Sequence, residues 1–317
     1  MTQHTKEREG RREATPMPPP PDPRPAGSGH RAEKSWAVLF ASPYLAHLVL
    51  LTAWPFLALT YLSFTDYDTL SSPNWIGLDN YTRLLRDEDF WNSLLNTGLF
   101  ALIYVPLQTV LALVLAVGLN QRLRFMPLLR GAYFVPVVSS WVVVAYVADA
   151  VFNPRTGSAN TVLGWFGIDP QTWLDSPALV IPTLALVAVW KGVGYMMVLF
   201  LAGLQSIPGE LYEAAEMDGA GPVRRFWHIT VPAVSGTTFL VLVLSTISVL
   251  QAFEQVYVMT GGEPGGASEV TVLYMYRQGF EYFQMGYAAA VAWVLFGITL
   301  VLTLFQLRLQ RKWVHYA

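Results

Sequence analysis

The side chains that make and break bonds in enzymes are either missing from this sequence or badly spaced for the task. There is no cysteine, which excludes a disulfide, a thiolate metal site and a cysteine nucleophile. The histidines His4, His30, His47, His228 and His315 are scattered without ligand spacing. No glycine-rich loop ends in Gly-Lys-Ser or Gly-Lys-Thr, so the chain has no ordinary cradle for ATP phosphates. No Ser-His-Asp arrangement stands out either. These absences argue against an enzyme.

What the sequence does offer is polar groups set inside apolar runs, which suits binding rather than bond-making. Lys191 is the only charge in the run from Ser176 to Gly209. A charge in such a place is costly and faces protein or a water-filled cavity. It could contact substrate hydroxyls or an anion, pair with a carboxylate on a partner subunit, or snorkel to an interface. Trp190 and Tyr195 flank it, with rings that stack on sugar faces, pack or meet lipid. Ser245, Ser248 and Gln251 recur in steps of three and so share one helical face. That face either lines a polar pathway or supplies hydrogen bonds between helices. Gln108 and Ser139-Ser140 are weaker candidates of the same kind, and Glu254 falls where a run ends. No metal site is expected.

The elements that must position these groups are membrane helices. The chain is 53% hydrophobic and only 13% charged, against roughly 25% charged in ordinary soluble domains. Net charge is −2, which gives no footprint for nucleic acid. Six apolar runs follow the N-terminal tail: 35–65, 90–121, 131–148, 176–209, 226–253 and 282–307. A helix needs about 20 such residues to cross a bilayer, and the runs lack strand alternation. The expected fold is therefore all-α integral membrane, with six transmembrane helices and both termini on one side. If that side is the cytoplasm, the inner segments hold fifteen Lys and Arg against four outside, as the positive-inside rule requires. The expected organisation is a disordered cytoplasmic tail at 1–34, rich in proline. A first span and outer loop follow at 35–92, then a core at 93–310 and a short tail at 311–317. The first apolar run starts too late and is too long for a signal peptide.

One charged, helix-prone segment separates the fourth and fifth runs, from Pro208 to Pro232. Pro208 can open a helix, and Glu210 and Glu213 suit the positive end of its dipole. Leu211, Ala214, Ala215 and Met217 make a small apolar face. Gly219, Gly221 and Pro222 stop the helix and allow a bend. Pro222 can start a second short helix that ends in Arg224, Arg225 and His228. Such a segment is larger than a turn needs and is suited to being gripped from the water phase.

The spacing Glu213-Ala214-Ala215, three residues, Gly219, nine residues, Ile229, one residue, Val231-Pro232 resembles the signature of membrane permease subunits of binding-protein-dependent ABC importers. Val231 stands where that family usually has Leu. The resemblance implies that the segment is the cytoplasmic coupling-helix pair that docks on an ATPase, through Glu213, Ala214, Ala215, Asp218, Gly219 and Pro232. Other stretches resemble the carbohydrate branch of the family: Gly77-Leu78-Asp79-Asn80-Tyr81, Tyr133-Phe134-Val135-Pro136, Phe152-Asn153-Pro154, Ala202-Gly203-Leu204-Gln205 and Thr260-Gly261-Gly262. Glu263 departs from that branch's usual Gly-Gly-Gly-Pro. The resemblance implies a bacterial plasma-membrane location and import of a sugar, oligosaccharide or polyol derivative. It implies a second permease subunit in a heterodimer, two ATPase subunits carrying ATP and Mg, and a solute-binding protein outside the cell. This chain would bind no cofactor itself. The competing classes are an ion-coupled secondary transporter, a permease of the same kind for amino acids or peptides, and a membrane scaffold without transport.

Overall fold

The structure is a computed structural model that describes residues 29–121 and 124–313. The disorder expected for residues 1–28 and the tail at 314–317 lie outside the described residues. Among the described residues the chain is helical, with one isolated antiparallel bridge between Thr65 and Trp75. It divides into two compact units between Leu57 and Ala58. In the first, α1 (Gly29–His47) passes through a π turn at Leu48–Ala53 into α2 (Trp54–Leu62), which runs across the division. The helix starts before the expected Ser35. Residues Leu39–Leu62 are long and apolar enough to span a membrane, and Phe40, Tyr44 and Trp54 are exposed.

The second unit holds α3 (Asp79–Arg86), α4 (Glu88–Leu119), α5 (Met126–Val138), α6 (Trp141–Phe152), α7 (Ser158–Trp165) and α8 (Val180–Gln205). It continues with α9 (Gly209–Met217), α10 (Pro222–Arg225), a π turn at Phe226–Thr230, α11 (Val231–Ala233) and α12 (Ser235–Leu250). Then come α13 (Glu254–Met259), α14 (Thr271–Tyr276), a π turn at Arg277–Glu281 and α15 (Met285–Trp313). Four stretches among the described residues are long and apolar enough to cross a bilayer alone: Leu39–Leu62, α4, α8 and Met285–Arg311 of α15. The number reaches six when two bent pairs each count as one span: α5 with α6, bent by 103°, and Pro222–Ala233 with α12, bent by 65°.

The third apolar run is thus a broken helix rather than the straight one its hydropathy suggests. Pro136 sits in the last turn of α5, where a missing N–H weakens the ladder. Ser139 and Ser140 are extended, and the Ser140 hydroxyl accepts the Val142 N–H to restart the helix as α6. Hydropathy sees only that these residues are small and uncharged, so it reads through the break.

α8 is the central helix, flanked by α4, α5 and α12. Glycine sets the closest crossings. A Cβ on Gly194 would lie 2.0 Å from the Tyr133 carbonyl oxygen of α5, and one on Gly203 would lie 2.3 Å from the Thr237 hydroxyl of α12. Two apolar clusters fill the bundle. One surrounds Phe100, Ile181, Leu184 and Val249; the other surrounds Ala112, Met197, Phe200 and Val241. Between them, on α4 and α12, lie the buried Gln108, Thr109, Ser245 and Thr246.

Residues 58–92 belong with the larger unit. The reason is polar as well as apolar. Asn80 donates to the carbonyls of Ser63 and Thr65 at 3.0 and 2.8 Å. The Gly286 N–H donates to the Tyr67 carbonyl. Leu84 and Phe90 pack with Tyr274, Tyr287 and Val291.

Candidate functional site

A cavity of about 500 Å³ opens where two helix breaks meet α8. Val137 and Trp141 come from the α5–α6 break; Gln251, Ala252, Phe253 and Glu254 come from the break between α12 and α13. The middle of α8 supplies Lys191, Gly192 and Tyr195, and α4 supplies Phe100 and Tyr104. Broken helices leave backbone groups free, and within a membrane such backbone is tolerated only where protein or a water-filled cavity receives it.

Lys191 is committed to the protein. Its Nζ donates to the Val137 carbonyl at 3.1 Å and lies 5.0 Å from the centre of the Trp141 ring. Val137 is in the last turn of α5, where carbonyls lack intrahelical partners and the dipole favours a cation. The lysine therefore caps a broken helix from the neighbouring one.

The serine–glutamine face divides. α12 ends at Leu250, so Gln251 follows the helix rather than completing its stripe. Ser248 and Gln251 are exposed to the cavity, whereas Ser245 is fully buried with no partner for its hydroxyl. Gln108 is likewise buried, and neither end of its amide has a partner. It stands behind Gly192, whose added Cβ would lie 3.1 Å from the Gln108 Nε2 and 3.2 Å from the Tyr104 hydroxyl. Trp190 points away, into a separate apolar pocket with Val147 and Phe152. Ser139 and Ser140 serve the helix break rather than the cavity wall. Sequence reasoning missed Tyr104, Trp141 and Phe253, because an aromatic residue in an apolar run carries no sign of what it faces.

The 208–232 segment forms an exposed helical hairpin. Pro208 is the residue before α9, and Gly219 turns the chain at φ +76. Such a backbone strains any side chain with a Cβ. The hairpin is tied from within: the Tyr212 and Thr230 hydroxyls meet at 2.9 Å, and Arg225 pairs with Glu216 at 3.1 Å. Glu213, Ala214 and Asp218 are exposed, while Ala215 and Pro232 are half-buried. Leu211, Met217, Val223 and Trp227 are also exposed, so the hairpin presents apolar side chains beside carboxylates.

At the opposite end of α12, residues 260–268 form a tightly held loop. Gly261, Gly262, Gly265 and Gly266 all have positive φ. Arg277 pairs with Glu269 at 2.6 Å and also donates to the Gly261 carbonyl. Burial pushes the Glu269 carboxyl up, and the Arg277 guanidinium opposes that rise. Asn96 of α4 donates to the carbonyls of Gly266 and Glu269. The glycine-rich stretch is therefore clamped to the bundle.

Residues 90–315 match the family described as binding-protein-dependent transport system inner membrane component. The chain is 38% identical over 283 residues to the probable ABC transporter permease protein YesP of Bacillus subtilis, covering 87% of this chain and 91% of that one. It is 34% identical over 287 residues to the arabinooligosaccharides transport system permease protein AraP of the same organism, covering 88% and 89%. Among solved structures, it superposes with TM-score 0.78 on a chain of a bacterial ABC transporter involved in the import of the acidic polysaccharide alginate. That match has 24% identity and covers 89% of this chain and 98% of the other.

Proposed function

The chain belongs to the binding-protein-dependent transport system inner membrane component family, and from that premise we propose that it is one permease subunit of an ATP-driven importer, forming half of the pathway for a sugar, oligosaccharide or polyol derivative. It is a multi-pass component of the inner membrane. Its partners are a second, different permease chain, two ATPase subunits that hold ATP and Mg, and an extracytoplasmic solute-binding protein. Both termini and the 208–232 hairpin face the cytoplasm.

The observation that carries this reading is the pairing of two features at opposite ends of α12. One end bears an exposed, internally tied hairpin; the other borders a cavity lined by polar and aromatic groups. The hairpin meets the ATPase through Glu213, Ala214, Ala215, Asp218, Gly219 and Pro232. The cavity receives solute against Lys191, Tyr195, Ser248 and Gln251, with Ser245 behind them. ATP-driven closure of the ATPases pulls on the hairpin, and the helices rock as rigid bodies around the cavity. The carbohydrate assignment is supported by the relative named for arabinooligosaccharides and by the aromatic walls of the cavity.

The test is at the hairpin. Ala215→Leu adds bulk at a close contact, and overpacking of that kind costs about 1–3 kcal/mol. Gly219→Val places a β-branched residue at positive φ. Both variants should insert at normal levels, lose ATP-driven uptake and retain less ATPase on copurification. Full uptake in both at normal expression would remove the coupling role.

A further inference from the structure

Four aromatic rings form a contiguous patch that begins in the cavity and ends in the open. Phe253 lines the cavity. Its ring lies 5.1 Å from that of Tyr276 and 5.2 Å from that of Tyr257, and Tyr257 and Tyr276 are 5.6 Å apart. Tyr276 then stacks on Phe280 at 5.2 Å. Exposure rises along the patch: Phe253 and Tyr276 are half-buried, whereas Tyr257 is 46% and Phe280 61% exposed. The first pair packs against the apolar cluster around Ile181 and Val249, so the patch has a fixed base and a free rim. It lies beyond the last turn of α12, at the end remote from the 208–232 hairpin.

We propose that Phe253, Tyr257, Tyr276 and Phe280 are a stacking track that passes the rings of an uncharged oligosaccharide between the outer mouth and the cavity. The proposal rests on the importer reading above and adds where the sugar chain travels and what charge it bears. A pyranose or furanose ring presents C–H groups on its faces and hydroxyls at its edge. The aromatic faces match the first, and the Tyr257 and Tyr276 hydroxyls, engaged with each other, lie beside the rings for the second. Stacking does not require one fixed register, so consecutive sugar rings can step along the patch without a deep binding minimum. The cavity that receives them selects for charge. It holds one cation, Lys191, already bonded to the Val137 carbonyl and set over Trp141, and one carboxylate, Glu254. Among the described residues no other Lys, Arg, Asp or Glu lines it, and Glu254 acts electrostatically on Lys191, so the lining offers an anionic sugar no excess of positive charge.

The experiment uses the whole importer, with its partner permease, ATPases and binding protein, in proteoliposomes. The probes are arabinose and maltose oligomers from two to five rings, plus the acidic alginate trisaccharide. The variants are Phe280→Ala, Tyr257→Ala and Tyr276→Phe. Phe280 and Tyr257 are exposed, so truncation there leaves the packed base intact. The wild type should carry neutral oligomers and not alginate trisaccharide. The two alanine variants should lose about three- to tenfold in uptake of the longer oligomers, less for the two-ring probe, with basal ATP hydrolysis unchanged. Tyr276→Phe keeps the ring and should keep most of the uptake of long oligomers. Wild-type uptake of neutral oligomers with equal rates in both alanine variants would overturn the track and leave the importer reading standing. Uptake of alginate trisaccharide in preference to the neutral probes would overturn the charge assignment. A wild type that hydrolyses ATP but moves no saccharide would overturn the carbohydrate reading and the track together.

Discussion

Asp87 shows how much one side chain can organise. Its carboxylate precedes α4 and accepts the backbone N–H groups of Asp89 and Phe90. The same carboxylate accepts the hydroxyls of Tyr274 and Tyr287, both at 2.6 Å, and Arg83 covers the Tyr287 ring at 4.0 Å. One residue thus caps α4 and ties it to α14 and α15. Burial raises the Asp87 pKa, but the tyrosine and backbone donors outweigh it and hold the carboxyl below its usual range. Because the folded-state value is the lower one, the contribution is complete above the ordinary carboxylate pKa of about 3.9 and is lost as pH falls through the folded value. Asp87→Ala leaves two buried tyrosine hydroxyls without their acceptor and should cost about 1–3 kcal/mol. Thermal unfolding of the detergent-solubilised protein should show a lower midpoint than wild type at pH 7, with the gap narrowing below about pH 4. An unchanged midpoint at pH 7 would reduce the clasp to a surface contact.

At the scale of elements, the informative places are where helices stop or touch. Lys191 caps α5 across a helix break, and a cation at such an end contributes about 0.3–1 kcal/mol, up to about 2 when partly buried. Lys191→Met should therefore lower both thermal stability and uptake, and Lys191→Arg should recover stability because it restores a cation near the Val137 carbonyl. If arginine restores neither, the cap is not what the lysine supplies. The α5–α8 crossing makes a second prediction. Gly194→Ala drives a methyl into the Tyr133 carbonyl, a contact with rigid backbone that cannot yield as a flexible side chain would. Its cost should be at least the roughly 1–3 kcal/mol of ordinary overpacking. Gly297→Ala on α15 meets nothing within 4 Å and should unfold like wild type. Equal midpoints for both variants would show that the crossing is loose.

For the whole molecule, the proposed orientation rests on charge. The proposed six-span topology would put fifteen Lys and Arg inside and four outside, and it predicts that a reporter fused after Ala317 is active in the cytoplasm only. A cysteine introduced at Ser72, in an otherwise cysteine-free chain, should be labelled by an impermeant maleimide on intact cells. Labelling only after permeabilisation would invert the topology and place the 208–232 hairpin on the side without ATP. The structure keeps the hairpin and the glycine-rich loop at opposite ends of α12, a separation that the proposed coupling requires.

The sequence by itself determined the helical membrane class, the locations of the apolar runs and the hairpin with its bend at Gly219. Each is a local property: hydropathy is read within one segment, and a glycine at a turn follows from steric limits on one residue. The sequence also marked Lys191, Tyr195, Ser248 and Gln251, because polar groups in apolar runs stand out. Other outcomes required the fold. Gln251 lies past the end of α12, Ser245 is sealed behind the cavity, and Trp190 faces away from Lys191 while Trp141 lies beside it. The break at Ser139-Ser140, the capping of α5 by Lys191 and the patch from Phe253 to Phe280 were also settled there. These depend on which groups from distant segments meet, and a helical period only says which residues share a face. The tertiary structure decides what that face meets, because packing fixes each helix's rotation and its breaks against its neighbours.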